Sequence, residues 1–200
     1  VTGVQTCALP ICRHGLTFDP RDDPRMEERF PGFDCLTRGS DQHAYNACYG
    51  RYRDLPLMFF DYHYETGSGK DRTTHRFSAV IVESPIPLKP LHIRPEGFFD
   101  RVTEFFGLDD IDFESAEFSR RFYVKAEDKK WAYDIIHARM MEHLLAHRGY
   151  SIQFGLWHII AWRDAVFDVP EVERVADMAS GIVERFPDYV VQPHSAGAKA

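Results

Sequence analysis

LPLMFFDYHYETGSGKDRTTHRFSAVIVES, residues 55–84, decides how this chain folds. Its first part alternates with period two, so that large apolar side chains share one face of an extended strand: Met58, Phe60, Tyr62 and Tyr64. The segment TGSGKD interrupts the pattern, and RTTHRFSAVIVES resumes it. Two strand-like runs around a short glycine-rich loop are typical of a β-hairpin. The stretch therefore predicts a long hairpin over residues 55–83.

The rest of the chain adds helices and a second hairpin. Apolar side chains at helical spacing predict three helices, near residues 96–106, 128–148 and 170–186. Asp128 is a favourable N-cap for the second of them, and Gly149 is expected to end it. YSIQFGL and WHIIAWR predict a second hairpin over residues 150–163. Because the strands form hairpins and do not alternate regularly with helices, the pattern indicates an α+β fold with a mainly antiparallel sheet.

Length and composition indicate one globular domain. The 200 residues are 44% hydrophobic and 28% charged, and a chain of this size buries enough surface to fold without a disulfide or a metal. We expect a single domain over residues 13–189 and a disordered tail over residues 190–200. The formal net charge of −7 argues against nonspecific nucleic-acid binding, which needs a basic face. The sequence contains no apolar run of about 18 residues, so no transmembrane helix is predicted in it.

The opening segment VTGVQTCALPIC does not read as part of a folded domain. It lacks the positive charge of a signal peptide, and Cys7 and Cys12 have no second pair at zinc-site spacing. The segment resembles the translation of a sequencing-library adapter, so residues 1–12 are expected to be artefactual. Two native cysteines remain, Cys35 and Cys48. Because they do not have the C-x-x-C spacing of a redox or metal site, we expect them to be small buried apolar side chains. This interpretation also predicts that the true N-terminus was lost upstream.

Two short motifs lack the residues that their sites require. GSGK suggests a phosphate-binding loop, but Tyr64 stands where the first glycine belongs and Asp71 replaces the serine or threonine. DDIDFES suggests a calcium loop, but counting from Asp110 places Ser115 and Arg121 at the glycine and glutamate positions. The first motif is therefore predicted to be a hairpin turn, and the second a solvated loop.

The long hairpin offers one group of catalytic residue types. A loop centred near Gly69 would place His63 opposite His75, with Asp61 two residues along on the same face. Such a group can transfer protons or bind a metal ion. The alternative is the polar, solvent-facing side of a half-buried hairpin.

A second group of histidines lies on the helix predicted near residues 128–148. His143 and His147 are four residues apart and share a helical face, as metal ligands often do. The metalloprotease motif needs glutamate directly after the first histidine, where this chain has Leu144. The alternative is a pair of histidines at a helix C-terminus, where the helix dipole favours them.

Several motifs, in order, resemble those of an uncharacterised bacterial family of membrane-anchored proteins with a soluble α+β domain. The motifs are FFDYHYETGSG, THRFS, LHIRPEG, DDIDFESAEFSRRFYV, AYDIIHARMMEHLL and the closing FP. The resemblance covers about residues 15–189. Because members commonly carry one or two transmembrane helices before this domain, it implies a full-length protein that is membrane-associated through an N-terminal anchor absent from this chain. It assigns no catalytic residue.

Since no motif meets the requirements of a catalytic or cofactor site, the sequence favours a non-enzymatic module that binds a protein or lipid partner. No cofactor and no nucleic-acid partner are predicted. Two alternatives stay open. One is a metal-dependent hydrolase that uses Asp61, His63 and His75. The other is a small-molecule carrier with a pocket formed by the aromatic residues, which make up 14% of the chain.

Overall fold

The computed structural model describes residues 15–96 and 109–195. In that part of the chain, nine strands form one sheet: β1 (Thr17–Asp19), β2 (Ser40–Tyr52), β3 (Leu55–Thr66), β4 (Thr73–Glu83), β5 (Leu91–Pro95), β6 (Asp109–Asp110), β7 (Phe122–Ala126), β8 (Ser151–Phe154) and β9 (His158–Arg163). Six α-helices accompany the sheet: α1 (Met26–Arg29), α2 (Ala116–Arg121), α3 (Lys129–Ile135), α4 (Ala138–Ala146), α5 (Val169–Val183) and α6 (Asp188–Ser195). The predicted α+β class is confirmed.

The strands lie in the order β1-β2-β3-β4-β9-β8-β5-β7-β6, and the paired neighbours are antiparallel. This confirms the mainly antiparallel sheet. A tight turn at Arg53 and Asp54 joins β2 to β3, and both residues have positive φ angles, of 48° and 61°. Two consecutive positive φ angles match the right-handed twist of the strands that such a turn connects.

The central part of the sheet is buried on both faces, since Phe59 and Phe60 of β3 belong to two different core clusters. One face carries Phe59 and Val80 and packs against α5; we call it the helix face. The other face carries Phe60 and Tyr62 and packs against the segment that contains α1; we call it the loop face. The hydroxyl of Tyr62 donates a hydrogen bond of 2.8 Å to the backbone carbonyl of Leu36, which fixes that segment to the sheet.

The helices differ from the prediction at one internal point. The helix expected near residues 128–148 is two helices, α3 and α4, because Ile136 (φ −91°, ψ 56°) and His137 (ψ 174°) leave helical geometry. The break is stabilised across the fold, since the Nε2 atom of His137 lies 2.9 Å from the backbone carbonyl of Arg185. Asp128 caps α3 as predicted, and its carboxylate accepts a hydrogen bond of 3.0 Å from the backbone N–H of Trp131.

Three other predictions concern the ends of the described ranges. The helix expected near residues 96–106 lies outside the described residues, apart from residue 96 itself. The helix expected near residues 170–186 is α5, with residue 183 as its last. Helix α6 runs through residue 195, so it covers the first part of the segment 190–200 where a disordered tail was expected. Within residues 15–96 and 109–195, no helix has the combined length and apolar character needed to cross a bilayer.

Candidate functional site

Two β-bulges in β2 orient polar side chains of this strand toward β3. The pairing slips between Ser40 and His43, and again between Tyr45 and Cys48, so β2 has one more residue than β3 at each place. Asp41 (φ 54°) lies in the first slip. Asn46 (φ 51°) lies in the second. Among residues other than glycine, aspartate and asparagine adopt this left-handed conformation most readily, and bulges commonly redirect a side chain.

Asp61 is a buried structural carboxylate on the helix face. Its side chain accepts hydrogen bonds from the Asn46 amide, at 2.9 Å, and from the Ser78 hydroxyl, at 2.5 Å. The Ser78 oxygen in turn accepts a hydrogen bond of 2.9 Å from the backbone N–H of Phe167. The carboxylate therefore connects β2, β3, β4 and the segment that leads into α5.

His63 lies next to a different partner from the one expected. It is paired across the sheet with His43, and the two imidazole rings stack with centroids 4.6 Å apart and an angle of 24° between their planes. The Nε2 atom of His63 is 3.7 Å from a carboxylate oxygen of Asp41. His63 could be predicted from sequence spacing, but its neighbours His43 and Asp41 could not, because their positions depend on the bulges.

His75 does not join Asp61 and His63, so the predicted three-residue group is wrong in this respect. In the sheet His75 pairs with Tyr64, and Arg76 pairs with His63. A shift of one residue places a side chain on the opposite face of a sheet. His75 therefore lies on the loop-face side, where its ring stacks on Tyr64 at 4.7 Å and its Nε2 atom is 2.7 Å from the Thr66 hydroxyl.

His143 holds the C-terminal part of α4 against α5, whereas His147 binds a backbone carbonyl of α4 itself. The Nε2 atom of His143 is 2.9 Å from the backbone carbonyl of Met178, so this nitrogen carries a proton and donates it. The Nδ1 atom of His147 is 2.8 Å from the carbonyl of His143 and donates in the same way. His143 is buried, which lowers its pKa, and its ring lies against Gly181 of α5.

A second buried polar group holds the segment before β2 onto the sheet. Gln153 accepts a hydrogen bond of 3.0 Å from the backbone N–H of Asp34 and donates one of 2.6 Å to the carbonyl of Gly32. The Asp34 carboxylate lies 3.6 Å from the Nδ1 atom of His92. Burial lowers the pKa of His92 to about 4 and raises the pKa of Asp34, so His92 is neutral at pH 7. We interpret the group as structural, because its hydrogen bonds anchor backbone.

An open groove lies where α1 meets the loop face. Its volume is about 330 Å³, and glycine and apolar residues form most of its lining: Phe30, Tyr49, Gly50, Pro56, Leu57, Met58 and Ile81. Three polar side chains complete the lining: Arg29, Glu83 and His158. The guanidinium of Arg29 is paired with Asp23 at 2.6 Å, and burial lowers the pKa of His158. The groove is therefore apolar along its wall and carries little unpaired positive charge from these two residues.

Large exposed apolar side chains lie on the groove wall and next to one of its lining residues in sequence. Trp157 directly precedes His158 in the turn between β8 and β9, and it is 46% exposed. Leu156, in the same turn, is 63% exposed. Tyr49, on the groove wall, is 43% exposed. An aromatic pocket was one of the alternatives that the sequence left open. Its location could not be identified from the sequence, because the groove arises from contacts between segments distant in sequence.

Comparison with known proteins yields a likeness of fold. The sequence matches no protein-family model and no curated protein. The crystal structure of the mycobacterial trehalose monomycolate transport factor A is similar, with a TM-score of 0.63 and 9% sequence identity. The match covers 88% of this chain and 91% of that chain. At this identity the likeness shows a shared fold.

Proposed function

We propose that this chain is a non-enzymatic lipid-binding module, and that the groove between α1 and the loop face contacts an acyl chain. The observation that carries the proposal is an open apolar groove with the half-exposed Tyr49 on its wall, and with exposed Leu156 and Trp157 in the turn directly before His158 of its lining. Exposed apolar surface of this kind commonly marks a binding site. Tryptophan in particular is enriched where a protein meets the interface of a membrane.

The size of the groove indicates weak binding of one segment of a single acyl chain. Burial of about six methylene groups, at about 0.8 kcal/mol each, contributes about 5 kcal/mol. This free energy corresponds to a dissociation constant of roughly 0.2 mM at best, because association itself has an entropic cost. Such a groove is effective when its ligand is locally concentrated, as lipid is for a domain tethered at a membrane. The proposal thus agrees with the N-terminal anchor implied by the family resemblance.

Two further points support a binding module over the alternatives. The protein of similar fold is a trehalose monomycolate transport factor, and the same architecture is therefore compatible with lipid handling. The hydrolase alternative required Asp61, His63 and His75 in one place, whereas His75 lies on the other face. An enclosed carrier is less suitable than a surface contact, because the groove is open.

The experiment is a titration of the full chain with octanoate, which stays monomeric at millimolar concentration, observed by NMR of methionine methyl groups. Met58 lines the groove, whereas Met178 is buried in α5 under the helix face and serves as an internal control. We expect the Met58 signal to shift with a sub-millimolar to millimolar dissociation constant and the Met178 signal to stay unchanged. A Met58→Leu chain assigns the signal.

Tyr49→Glu provides the matched test, since it places a charge in the apolar groove. We expect this substitution to weaken octanoate binding by about tenfold. Bound octanoate would cover the new carboxylate, which costs free energy, and the two carboxylates would repel each other. Tyr133→Glu is the control, because Tyr133 is similarly exposed, at 49%, and lies on α3 away from the groove. Equal weakening in both variants, or an unshifted Met58 signal, contradicts the proposal. The anchor is tested separately, by whether genomic DNA upstream encodes an apolar segment.

A further inference from the structure

Two imidazoles and a carboxylate lie together on the helix face, near the start of β2 and the end of β3. The donor atoms of Asp41, His43 and His63 all lie within 4.8 Å of one another. Histidine and aspartate in this combination are ligands of Zn²⁺ and related divalent transition metals. The three side chains belong to an antiparallel pair of strands, so the backbone holds them in a fixed relation.

The hydrogen bonding of His43 prepares it to bind a metal ion. Its Nδ1 atom lies 3.2 Å from the backbone carbonyl of Asp41, and a carbonyl can only accept. Nδ1 therefore carries the proton, and Nε2 keeps its lone pair. Histidines that bind metals usually have this arrangement, in which the other ring nitrogen donates to a carbonyl or carboxylate and fixes the tautomer.

The carboxylate of Asp41 lies at the first bulge. Asp41 lies two residues before His43, so strict alternation counted back from His43 keeps it on the helix face. At the slip between Ser40 and His43, Asp41 has a left-handed φ of 54°, and its carboxylate lies 3.7 Å from His63. The site is accessible, because the Asp41 side chain is 67% exposed, while that of His63 is 13% exposed.

We propose that Asp41, His43 and His63 form a binding site for one divalent transition metal ion, with Zn²⁺ as the preferred ion and water completing its coordination. A tetrahedral Zn²⁺ site with bonds of about 2.0–2.1 Å needs ligand atoms roughly 3.3 Å apart. The ligand atoms lie up to 4.8 Å apart, so metal binding requires them to approach by up to about 1.5 Å, through rotation of the exposed Asp41 side chain and tilting of the two rings. The proposal is independent of the groove, which lies between α1 and the loop face.

The affinity is expected to be moderate. Three protein ligands leave one position to water, as in open zinc sites. Arg76 pairs with His63 from β4 and adds a positive charge on the same face, which opposes cation binding. We therefore expect a dissociation constant for Zn²⁺ in the micromolar range.

The test is titration of the full chain with Zn²⁺ alone, by competition with a chromophoric chelator. Wild type is expected to bind one ion, and His43→Ala and His63→Ala are each expected to weaken binding at least tenfold. His75→Ala is the matched control, because His75 belongs to the same sheet but lies on the opposite face. A chain with Cys7→Ser and Cys12→Ser must bind as wild type does, which separates this site from the N-terminal thiols.

A second readout identifies the ligands chemically. Co²⁺ in place of Zn²⁺ should give visible absorption without the near-ultraviolet thiolate charge-transfer band that cysteine ligands produce. The proposal is overturned if Zn²⁺ binds more weakly than about 100 μM, if His75→Ala weakens binding as much as His63→Ala, or if the cobalt spectrum shows a thiolate ligand. Retained folding of the histidine variants is checked by circular dichroism.

Discussion

Replacement of Gly181 by alanine is expected to destabilise the fold, although alanine is the better helix former. Gly181 lies in α5 where the His143 ring of α4 packs against it. A Cβ atom built at this position would lie 2.5 Å from Cε1 and 2.7 Å from Nε2 of His143. The ring cannot simply rotate away, because it is buried and its Nε2–H donates to the carbonyl of Met178.

The magnitude follows from three contributions. Glycine to alanine inside a helix gains about 1 kcal/mol from propensity. Overpacking of a core costs about 1–3 kcal/mol, and a buried donor that loses its partner costs a similar amount. If overpacking and the weakened hydrogen bond together cost about 3 kcal/mol, the net loss in the free energy of unfolding is about 2 kcal/mol. In a domain of this size, that loss lowers the melting temperature by about 4–8 °C.

The assay is urea denaturation followed by circular dichroism, with Ser180→Ala as the matched control. Ser180 is the preceding residue in α5, and its buried hydroxyl has no hydrogen-bond partner within the described part of the chain. Its replacement by alanine should therefore be neutral or stabilise by up to about 1 kcal/mol. The same new side chain at two adjacent helical positions should thus have opposite effects.

A double-mutant cycle gives the result that would refute this reasoning. In a His143→Ala background the clash is absent, so Gly181→Ala should no longer destabilise, and the coupling energy should be about 2 kcal/mol or more. The contact with His143 does not explain the glycine at position 181 if the Gly181→Ala variant is as stable as wild type. The same conclusion follows if the substitution lowers the free energy of unfolding equally in both backgrounds.

Two further predictions concern the buried polar groups. Asp61→Ala should lower the free energy of unfolding by about 2–4 kcal/mol in urea denaturation, because Asn46 and Ser78 lose their acceptor; a cost below 0.5 kcal/mol would contradict a structural role. Burial holds the pKa of His92 at about 4 in the folded chain, against an ordinary value of 6.5. Between these two pH values the unfolded chain binds more protons than the folded chain. The free energy of unfolding therefore falls as the pH is lowered, by up to about 3 kcal/mol. His92→Gln should flatten that fall in denaturation series from pH 7 to pH 4. An unchanged pH profile would contradict the lowered pKa, because it would mean that His92 binds protons equally in the folded and unfolded chains.

Local patterns predicted the elements well where one rule acted alone. The alternation of Phe60 and Tyr62 with Phe59 and Asp61 determined which side chains share a face, and the structure keeps that division. The N-cap at Asp128 followed from its side chain alone. The helix break at His137 did not, since it depends on a hydrogen bond to Arg185, which is 48 residues away.

The candidate site was harder to predict, because it depends on register. With continuous pairing from the turn at Arg53 and Asp54, Tyr64 would lie opposite His43; the bulge at Asn46 shifts the pairing and brings His63 there instead. The pairing of β3 with β4 is likewise shifted by one residue from the expected register, so that Arg76 lies opposite His63 and His75 lies on the other face. Sequence spacing identifies which residue types are available, whereas bulges and turn geometry decide which of them meet.

The lengths of the outermost strands bear on how the chain avoids sticking to its own copies. The described sheet ends in β1, with three residues, and in β6, with two, while the 13-residue β2 lies just inside. A long bare edge would offer unpaired backbone groups to another molecule and promote aggregation. Residues 17–19 cover only part of β2, and its two bulges distort the remainder, which makes that edge a poor template for strand addition. The distortions that assemble the polar cluster therefore also protect the protein's solubility.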